Sequence, residues 1–353
     1  MAVEFEGHVN AGQLENDYSE VLQPFNGDPA GKSLLSMTQL SESDIHDYIA
    51  EAYAAEKVVQ DRSKRGISLL RHAVMKAVMQ QPSTRTGGSC TTAMRKLGGS
   101  ADLISGMSTS SEAKGEAPAE SWVAFATQAD IIGVRTAANN GPMFAAQSIT
   151  DAFNRGQLWQ NVPVINLGDG QNEHPTQALG DEFTIHKKFK KFEGLTATVV
   201  GDQERYRAHH SFMIGAAKLG MTVVAVESSV ARVPDHLVSA LGSKLQRTQD
   251  LDAAIRESDV LYVGRNPDEY DGNNALEKER SQQLADDFRS WRIHRDRLQQ
   301  MRPDGMLLHP RPRRTELHPS VDADPRDFEV QQMFNMIPMR MAIIVRALNE
   351  SLR

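Results

Sequence analysis

At 353 residues and roughly 150 residues per domain, the chain is expected to form about two domains, and it needs no disulfide or metal staple to bury a core. Its 40% hydrophobic content excludes wholesale disorder, and 46 acidic against 39 basic residues, a net charge of −7, with no dense Lys/Arg block, argue against nucleic-acid binding. The single cysteine, Cys90, excludes an intrachain disulfide and a multi-thiolate metal site. No run approaches the ~18 to 20 apolar residues of a membrane span, and the opening MAVEFEGHVNAGQLENDYSE is acidic where a secretory signal is basic and then apolar. A soluble, cytoplasmic protein without membrane association is expected.

In chain order, residues 1–33 are polar, punctuated by Gly and Pro, and read as an N-terminal extension. Apolar residues at helical spacing after Ser41 predict a first helix beginning near Ser43, with Ser43 and Asp44 as cap or first-turn residues. The stretch SLLRHAVMKAVMQQPSTRTGGSCTTAMRKLGG reads as strand, loop and helix, ended by Gly98 and Gly99. ADLISG, DIIGVRT and VPVINLGDG read as short buried strands, separated by helical segments such as APAESWVAFATQA. A second alternating block runs through TATVVGD, the helix around HHSFMIGAAKLG, MTVVAVES and DVLYVGR. Alternation of strand and helix implies parallel sheets, so the expected fold class is α/β with two parallel-sheet, doubly wound domains. The turn GDQERYR lacks the spaced glycines of a dinucleotide fingerprint, which argues against NAD. From Gln331 to Leu352 the pattern is a helix with Met, Ile and Val on one face, packed on the core.

Two segments carry chemistry. Ser83, Thr84, Arg85 and Thr86 open a predicted helix, where backbone N–H groups lack partners, the macrodipole is positive and a guanidinium fork matches phosphate. Taken alone, they fit either a phosphate cradle or a Ser/Thr cap beside a solvent-facing Arg. The loop GDGQNEHPTQ opens another helix. There His174 can hydrogen-bond a carbonyl oxygen, and Gln177 offers an amide donor and acceptor one turn on.

PSTRT, AMRKLGGS, KGE (114–116), VR (134–135), GDGQNEHPTQAL, VGDQERYR, HPRPR followed by ELHP, and FNMIPMRMA occur in that order. Together they resemble the aspartate/ornithine carbamoyltransferase family, over about residues 34–353. The loop His309-Pro310-Arg311-Pro312-Arg313 has no cysteine, which is similar to the aspartate branch. The resemblance implies a carbamoyl-phosphate domain at 34–185 completed by a C-terminal helix at 325–353, an amino-acid domain at 186–324, and a cleft between them. It implies that Ser83, Thr84, Arg85 and Thr86 bind the phosphate of carbamoyl phosphate. Arg135, Thr86 and His174 would surround the carbonyl oxygen, with Gln177 and the main chain near Pro310 holding the carbamoyl NH2. Arg207 and Arg265 match the family arginines that grip the two carboxylates of aspartate. Ser110 and Lys114 would reach from a neighbouring subunit of a homotrimer, itself able to join a larger assembly, with Glu116 at the same interface. Neither metal nor cofactor is implied.

Four positions depart from the family pattern. Gly87 stands where an Arg is usual, Arg311 replaces a Leu beside the acceptor amine, Pro267 takes the place of a Gln found in some members, and Tyr206 replaces a small residue. The implied reaction is carbamoyl transfer to L-aspartate in pyrimidine biosynthesis. The alternatives are a paralogue with another amino-acid acceptor, motivated by Arg311 and Pro267, and a non-catalytic scaffold.

Overall fold

The computed structural model describes residues 32–63, 65–105, 117–271, 274–350 and 352. The elements, in chain order, begin with α1 (Glu42–Gln60), β1 (Val74–Met79), α2 (Thr84–Lys96), β2 (Ser100–Ser105), α3 (Pro118–Ala126), β3 (Ile131–Thr136), α4 (Gly141–Asn154) and β4 (Val164–Asp169). They continue with α5 (Pro175–Phe189), β5 (Thr196–Val200), α6 (Arg207–Lys218), β6 (Thr222–Val226), α7 (Asp235–Leu241), β7 (Leu245–Thr248), α8 (Leu251–Glu257) and β8 (Val260–Val263). The last are α9 (Ala275–Ser290), α10 (Arg295–Leu298), β9 (Met306–Leu308) and α11 (Glu329–Ala347).

Contacts divide the described chain into two compact units, each discontinuous in sequence. One comprises the residues up to Leu35, Lys57–Gly170 and those from Arg340 on; the other comprises Ser36–Glu56 and Gln171–Met339. The expected partition at 185/186 falls inside α5, which packs on α6 and so belongs to the second unit.

The first unit holds a four-stranded sheet in the order β2-β1-β3-β4, every pair parallel. The chain goes from β1 outward to β2, then returns to the other side of β1 as β3, so the order reverses between β1 and β3. In doubly wound sheets ligands bind at the carboxyl ends of the strands flanking such a reversal. Between the sheet and α3 and α4, Val78, Ile132, Val134 and Val164 bury against Trp122, Phe144 and Ile149. All six residues of β4 are buried, as expected of a strand covered on both faces.

The second unit holds a five-stranded parallel sheet, β7-β6-β5-β8-β9, which reverses between β5 and β8. Its core includes Val200, Val226, Leu261, Val263, Trp291 and Leu307. Tyr262 stacks on Phe212 at 4.2 Å between ring centroids. The first eleven residues of α5, from Pro175 to Ile185, are all buried, Asp181 and Glu182 among them. Burial pushes the Glu182 carboxyl well above its ordinary range. A Cβ at Gly215 would overlap that carboxyl.

Several elements differ from the sequence expectation. Ser43 and Asp44 stand in the first turn of α1, as expected, and the cap is Ser41: its N–H donates to Asp44 Oδ2 at 2.8 Å, and the Asp44 N–H donates back to Ser41 Oγ at 3.1 Å, a reciprocal cap. β7 (LQRT) and β9 (MLL) lack a period because they are short, and β7 exposes its two central residues. α9 buries only Leu284 and Phe288, too sparse an apolar face to read as an amphipathic helix. α11 begins two residues earlier than expected and runs through Pro338 without a break.

Candidate active site

At the β1/β3 reversal, Ser83 caps α2 from an extended backbone, its Oγ accepting from the Thr86 N–H at 3.3 Å. Thr84 and Arg85 are exposed, while Thr86 is buried. The N–H groups of Gln80 and Gln81, just before this cap, donate to Arg135 O at 2.9 and 3.3 Å, so Arg135 is tied to the PSTRT loop. The β3–β4 register shifts between Val134 and Thr136. A bulge there re-aims the side chain it carries, and Arg135 Nη1 donates to Leu167 O at 3.2 Å. The Asp169 carboxylate shapes the next loop, accepting from the Asn140 N–H at 2.7 Å and from Asn166 Nδ2 at 2.9 Å.

Gly87 also has a structural reason. A Cβ there would lie 2.6 Å from Leu103 Cδ1, so a larger residue requires Leu103 to move. A cation nevertheless lies on the second turn of α2: the buried guanidinium of Arg340, from α11, hydrogen-bonds Ser89 Oγ. Sequence reasoning gave Arg340 no role, although it stands in the quoted FNMIPMRMA stretch.

In the second unit, His174 precedes Pro175, the first residue of α5. Its N–H donates to Ser211 Oγ at 2.8 Å, and Ser211 Oγ donates to Glu173 Oε2 at 2.9 Å. The imidazole Nδ1 is 3.4 Å from Thr176 Oγ1. The side chain of His210 joins this loop to the β5–α6 turn, with Nδ1 2.8 Å from Asn172 O and Nε2 3.0 Å from Gln203 O. Gln177, one turn after His174, directs Nε2 to Asp181 Oδ1 at 2.8 Å.

Arg207 is the first residue of α6, after β5, and Arg265 follows β8, so the two stand at the β5/β8 reversal. Arg207 is half-buried. Both terminal nitrogens of Arg265 hydrogen-bond Glu269, Nη1 at 2.6 Å from Oε2, and its guanidinium carbon is 5.9 Å from the Tyr206 ring centroid. Burial raises the Glu269 carboxyl, but the Arg265 hydrogen bonds and charge outweigh it and hold the group below its usual range. Burial pushes the Tyr206 hydroxyl up to about 12. Pro267 opens the 3-10 turn Asp268–Tyr270, which folds Glu269 back onto Arg265. In this chain, therefore, the proline that departs from the family pattern shapes the loop.

Pro310 is half-buried. Its neighbour His309 is fixed in one tautomer: Nδ1 accepts from the Arg311 N–H at 2.8 Å and Nε2 lies 2.8 Å from Glu316 Oε1. Arg311 has a left-handed backbone, φ 57°, and its Nε forms an ion pair of 2.8 Å with the buried Glu329. Arg313 reaches the same carboxyl at 3.2 Å. The Arg311 side chain is thus engaged by a carboxyl within its own unit. Ser110, Lys114 and Glu116 lie outside the described residues.

Burial raises the Glu329 carboxyl to about 7, against the pull of Arg311 and Arg313. The folded chain then holds a proton that the unfolded chain releases near the ordinary carboxylate value, so stability falls as pH rises toward 7. Arg311→Leu extends that loss to higher pH. It is expected to lower Tm more at pH 8 than at pH 5.5 and to change acceptor KM little, as read by paired melts and steady-state kinetics.

Fold and site together define a two-unit α/β protein with polar and cationic side chains gathered at the strand-order reversal of each sheet. Residues 32–187 match the family described as aspartate/ornithine carbamoyltransferase, carbamoyl-P binding domain, and residues 193–347 match its Asp/Orn binding domain. The chain belongs to the aspartate/ornithine carbamoyltransferase family. It is 31% identical to the aspartate carbamoyltransferase catalytic subunit of Thermoplasma acidophilum, covering 90% of this chain and 99% of the relative. It is 32% identical to that of Thermococcus gammatolerans, covering 89% and 96%. Among solved structures, it is similar to aspartate transcarbamoylase from Trypanosoma cruzi in complex with carbamoyl aspartate and phosphate, at 28% identity and TM-score 0.80 over 91% of this chain and 97% of that one. It also resembles the catalytic subunit of M. jannaschii aspartate transcarbamoylase, at 30% identity and TM-score 0.75 over 90% and 98%.

Proposed function

We propose that this chain transfers the carbamoyl group of carbamoyl phosphate to the amine of L-aspartate, giving N-carbamoyl-L-aspartate and phosphate, a step of pyrimidine biosynthesis. The likeness to an enzyme solved with carbamoyl aspartate and phosphate bound carries this reading. We assign carbamoyl phosphate to residues 34–185 with the C-terminal helix 325–353, and the amino acid to residues 186–324, as functional regions whose borders differ from those of the compact units, since residues 171–185 and 325–339 pack within the second unit.

In the proposed reaction the amine lone pair attacks the carbamoyl carbon, the new C–N bond forms, the C–O bond to phosphate breaks and phosphate leaves with that electron pair. The proton lost from the attacking amine passes to the departing phosphate, which leaves as hydrogen phosphate. Negative charge grows on the carbonyl oxygen during attack, where Thr86, Arg135 and His174 donate to it. One preorganised donor of this kind is worth roughly 3 to 4 kcal/mol, most of it in the transition state. Ser83, Thr84, Arg85 and Thr86 receive the phosphate at the N-terminus of α2, where backbone N–H groups and the macrodipole favour an anion. Gln177 and the main chain near Pro310 hold the carbamoyl NH2. Arg207 and Arg265 take the two carboxylates of aspartate, with the main chain of Arg311 beside them. The reaction as written uses neither metal nor cofactor. A cytoplasmic homotrimer, in which Ser110 and Lys114 serve a neighbouring subunit, belongs to the same proposal and rests on the family resemblance. Among the described residues no helix is long and apolar enough to cross a membrane.

A colorimetric ureido assay with carbamoyl phosphate and a panel of amino acids tests the assignment. Aspartate is the expected acceptor. Succinate, which has both acids and no amine, should compete with it, whereas propionate should not. Turnover of ornithine with no effect of succinate would establish the other-acceptor alternative, and absence of product with every amino acid would leave the scaffold.

A further inference from the structure

Asp181 lies on α5 one turn beyond Gln177, and it is 0% exposed. Three donors converge on its carboxylate. Gln177 Nε2 and Gln332 Nε2 reach Oδ1 at 2.8 and 2.6 Å, and the Tyr262 hydroxyl reaches Oδ2 at 2.8 Å. Gln332 in turn accepts the His309 N–H on Oε1 at 2.9 Å. All of these residues belong to the second unit.

A glutamine amide has two orientations of nearly equal shape, and its neighbours decide between them. A carboxyl oxygen that carries no proton only accepts, and both glutamines meet Asp181 on Oδ1, so each turns its NH2 toward it. The oxygen of Gln177 is then left to accept from a ligand, and the oxygen of Gln332 to accept from the His309 main chain, next to Pro310. Cohesion alone does not explain a carboxylate here, because well-packed apolar residues stabilise a core about as well as a satisfied buried polar cluster. Orientation does.

We propose that Asp181 is a positioning residue for carbamoyl transfer: one buried carboxylate sets the amide of Gln177 so that its oxygen meets the carbamoyl NH2, and through Gln332 it moors the main chain at His309 beside Pro310. The proposal rests on the carbamoyl-phosphate reading given above.

Four proteins test it: wild type, Asp181→Ala, Gln177→Ala and the double variant. Asp181→Ala should lower kcat/KM for carbamoyl phosphate ~10²-fold, and the double variant should fall well short of the product of the two single losses, because the part of the Asp181 effect that runs through Gln177 is already gone while the part through Gln332 remains. Asp181→Asn should return within ~5-fold of wild type, because its oxygen still accepts from both glutamines while its NH2 donates to Tyr262. Losses that multiply in the double variant, or an Asn variant no better than Ala, would overturn the proposal. If Asp181→Ala does not fold, Gln177→Glu poses the same question. A carboxyl facing Asp181 must be protonated to donate, so its activity relative to wild type should rise up to ~10-fold per unit fall in pH, and a flat ratio refutes the orientation. Substrate-free melts of wild type, Gln177→Ala, Asp181→Ala and the double variant, with Asp181→Asn replacing Asp181→Ala in both if the latter does not fold, separate the two readings. Tm losses should be non-additive, and additive losses overturn the Asp181 network whatever the wild type catalyses. Non-additive losses in a protein that forms no ureido product overturn the reaction, and Asp181 as a residue positioned for it, while leaving the contact in place.

Discussion

His174→Ala is expected to lower kcat by roughly 10² or more without unfolding the protein, because it removes a donor to the transition-state oxygen. The loop also has moorings that do not use the imidazole. The loop is held by the His174 main-chain N–H on Ser211 Oγ and by the Glu173 carboxylate, which also accepts the Met37 N–H at 2.9 Å. Steady-state kinetics beside thermal melts check this, and a loss confined to KM refutes the role. The same variant tests the proposed trimer. His174→Ala and Lys114→Ala should each be nearly inactive, yet in random mixtures about three quarters of trimers are mixed, each with one intact site in three. Roughly a quarter of wild-type activity should then return. Mixed trimers detected by mass spectrometry without recovered activity would show that Lys114 does not serve a neighbour.

Arg265→Ala should raise the KM for aspartate by ~10²-fold or more and leave that for carbamoyl phosphate little changed, because a guanidinium meeting a carboxylate makes two charge-assisted hydrogen bonds that alanine cannot. Arg265→Lys should rescue poorly, as a point charge cannot reproduce the fork. Glu269→Gln separates two roles of the same arginine. Arg265 is bound to Glu269 at both terminal nitrogens, so this variant loosens a guanidinium already held in place, and a smaller, roughly tenfold rise in KM is expected. An unchanged KM in Arg265→Ala, measured with saturating carbamoyl phosphate, would remove Arg265 from the acceptor site.

What could be read from sequence was whatever repeats locally. Buried parallel strands are continuous apolar runs, so β3, β4, β5, β6 and β8 were legible, and with them the positions of Arg135 near the end of β3, Arg207 at the helix start after β5 and Arg265 just past β8. β7 and β9 were not, because four residues of mixed polarity and three apolar ones carry no period. The candidate site was legible where a motif sits on a helix start, as at Ser83–Thr86 and His174. Long-range partners were not. Nothing local joins Gln177 to Gln332, Arg311 to Glu329, or Arg265 to a glutamate folded back by Pro267. Arg311 illustrates the difference: as a bare letter it adds a cation near the acceptor, but its actual environment depends on a carboxyl 18 positions downstream.

Because both units are discontinuous, synthesis of the chain has an order of its own. Residues 57–170 supply all four strands of the first sheet, yet Arg340, which reaches Ser89 on α2, is separated from it by 251 positions. At about 5–20 residues per second, that partner arrives on the order of ten seconds or more after its socket has been made. The first unit therefore emerges from the ribosome as a sheet and its helices without the terminal segment that finishes it. Its contacts with Arg340 form only after every strand of the second sheet has been made, so a release or truncation before residue 340 leaves the first unit without that partner.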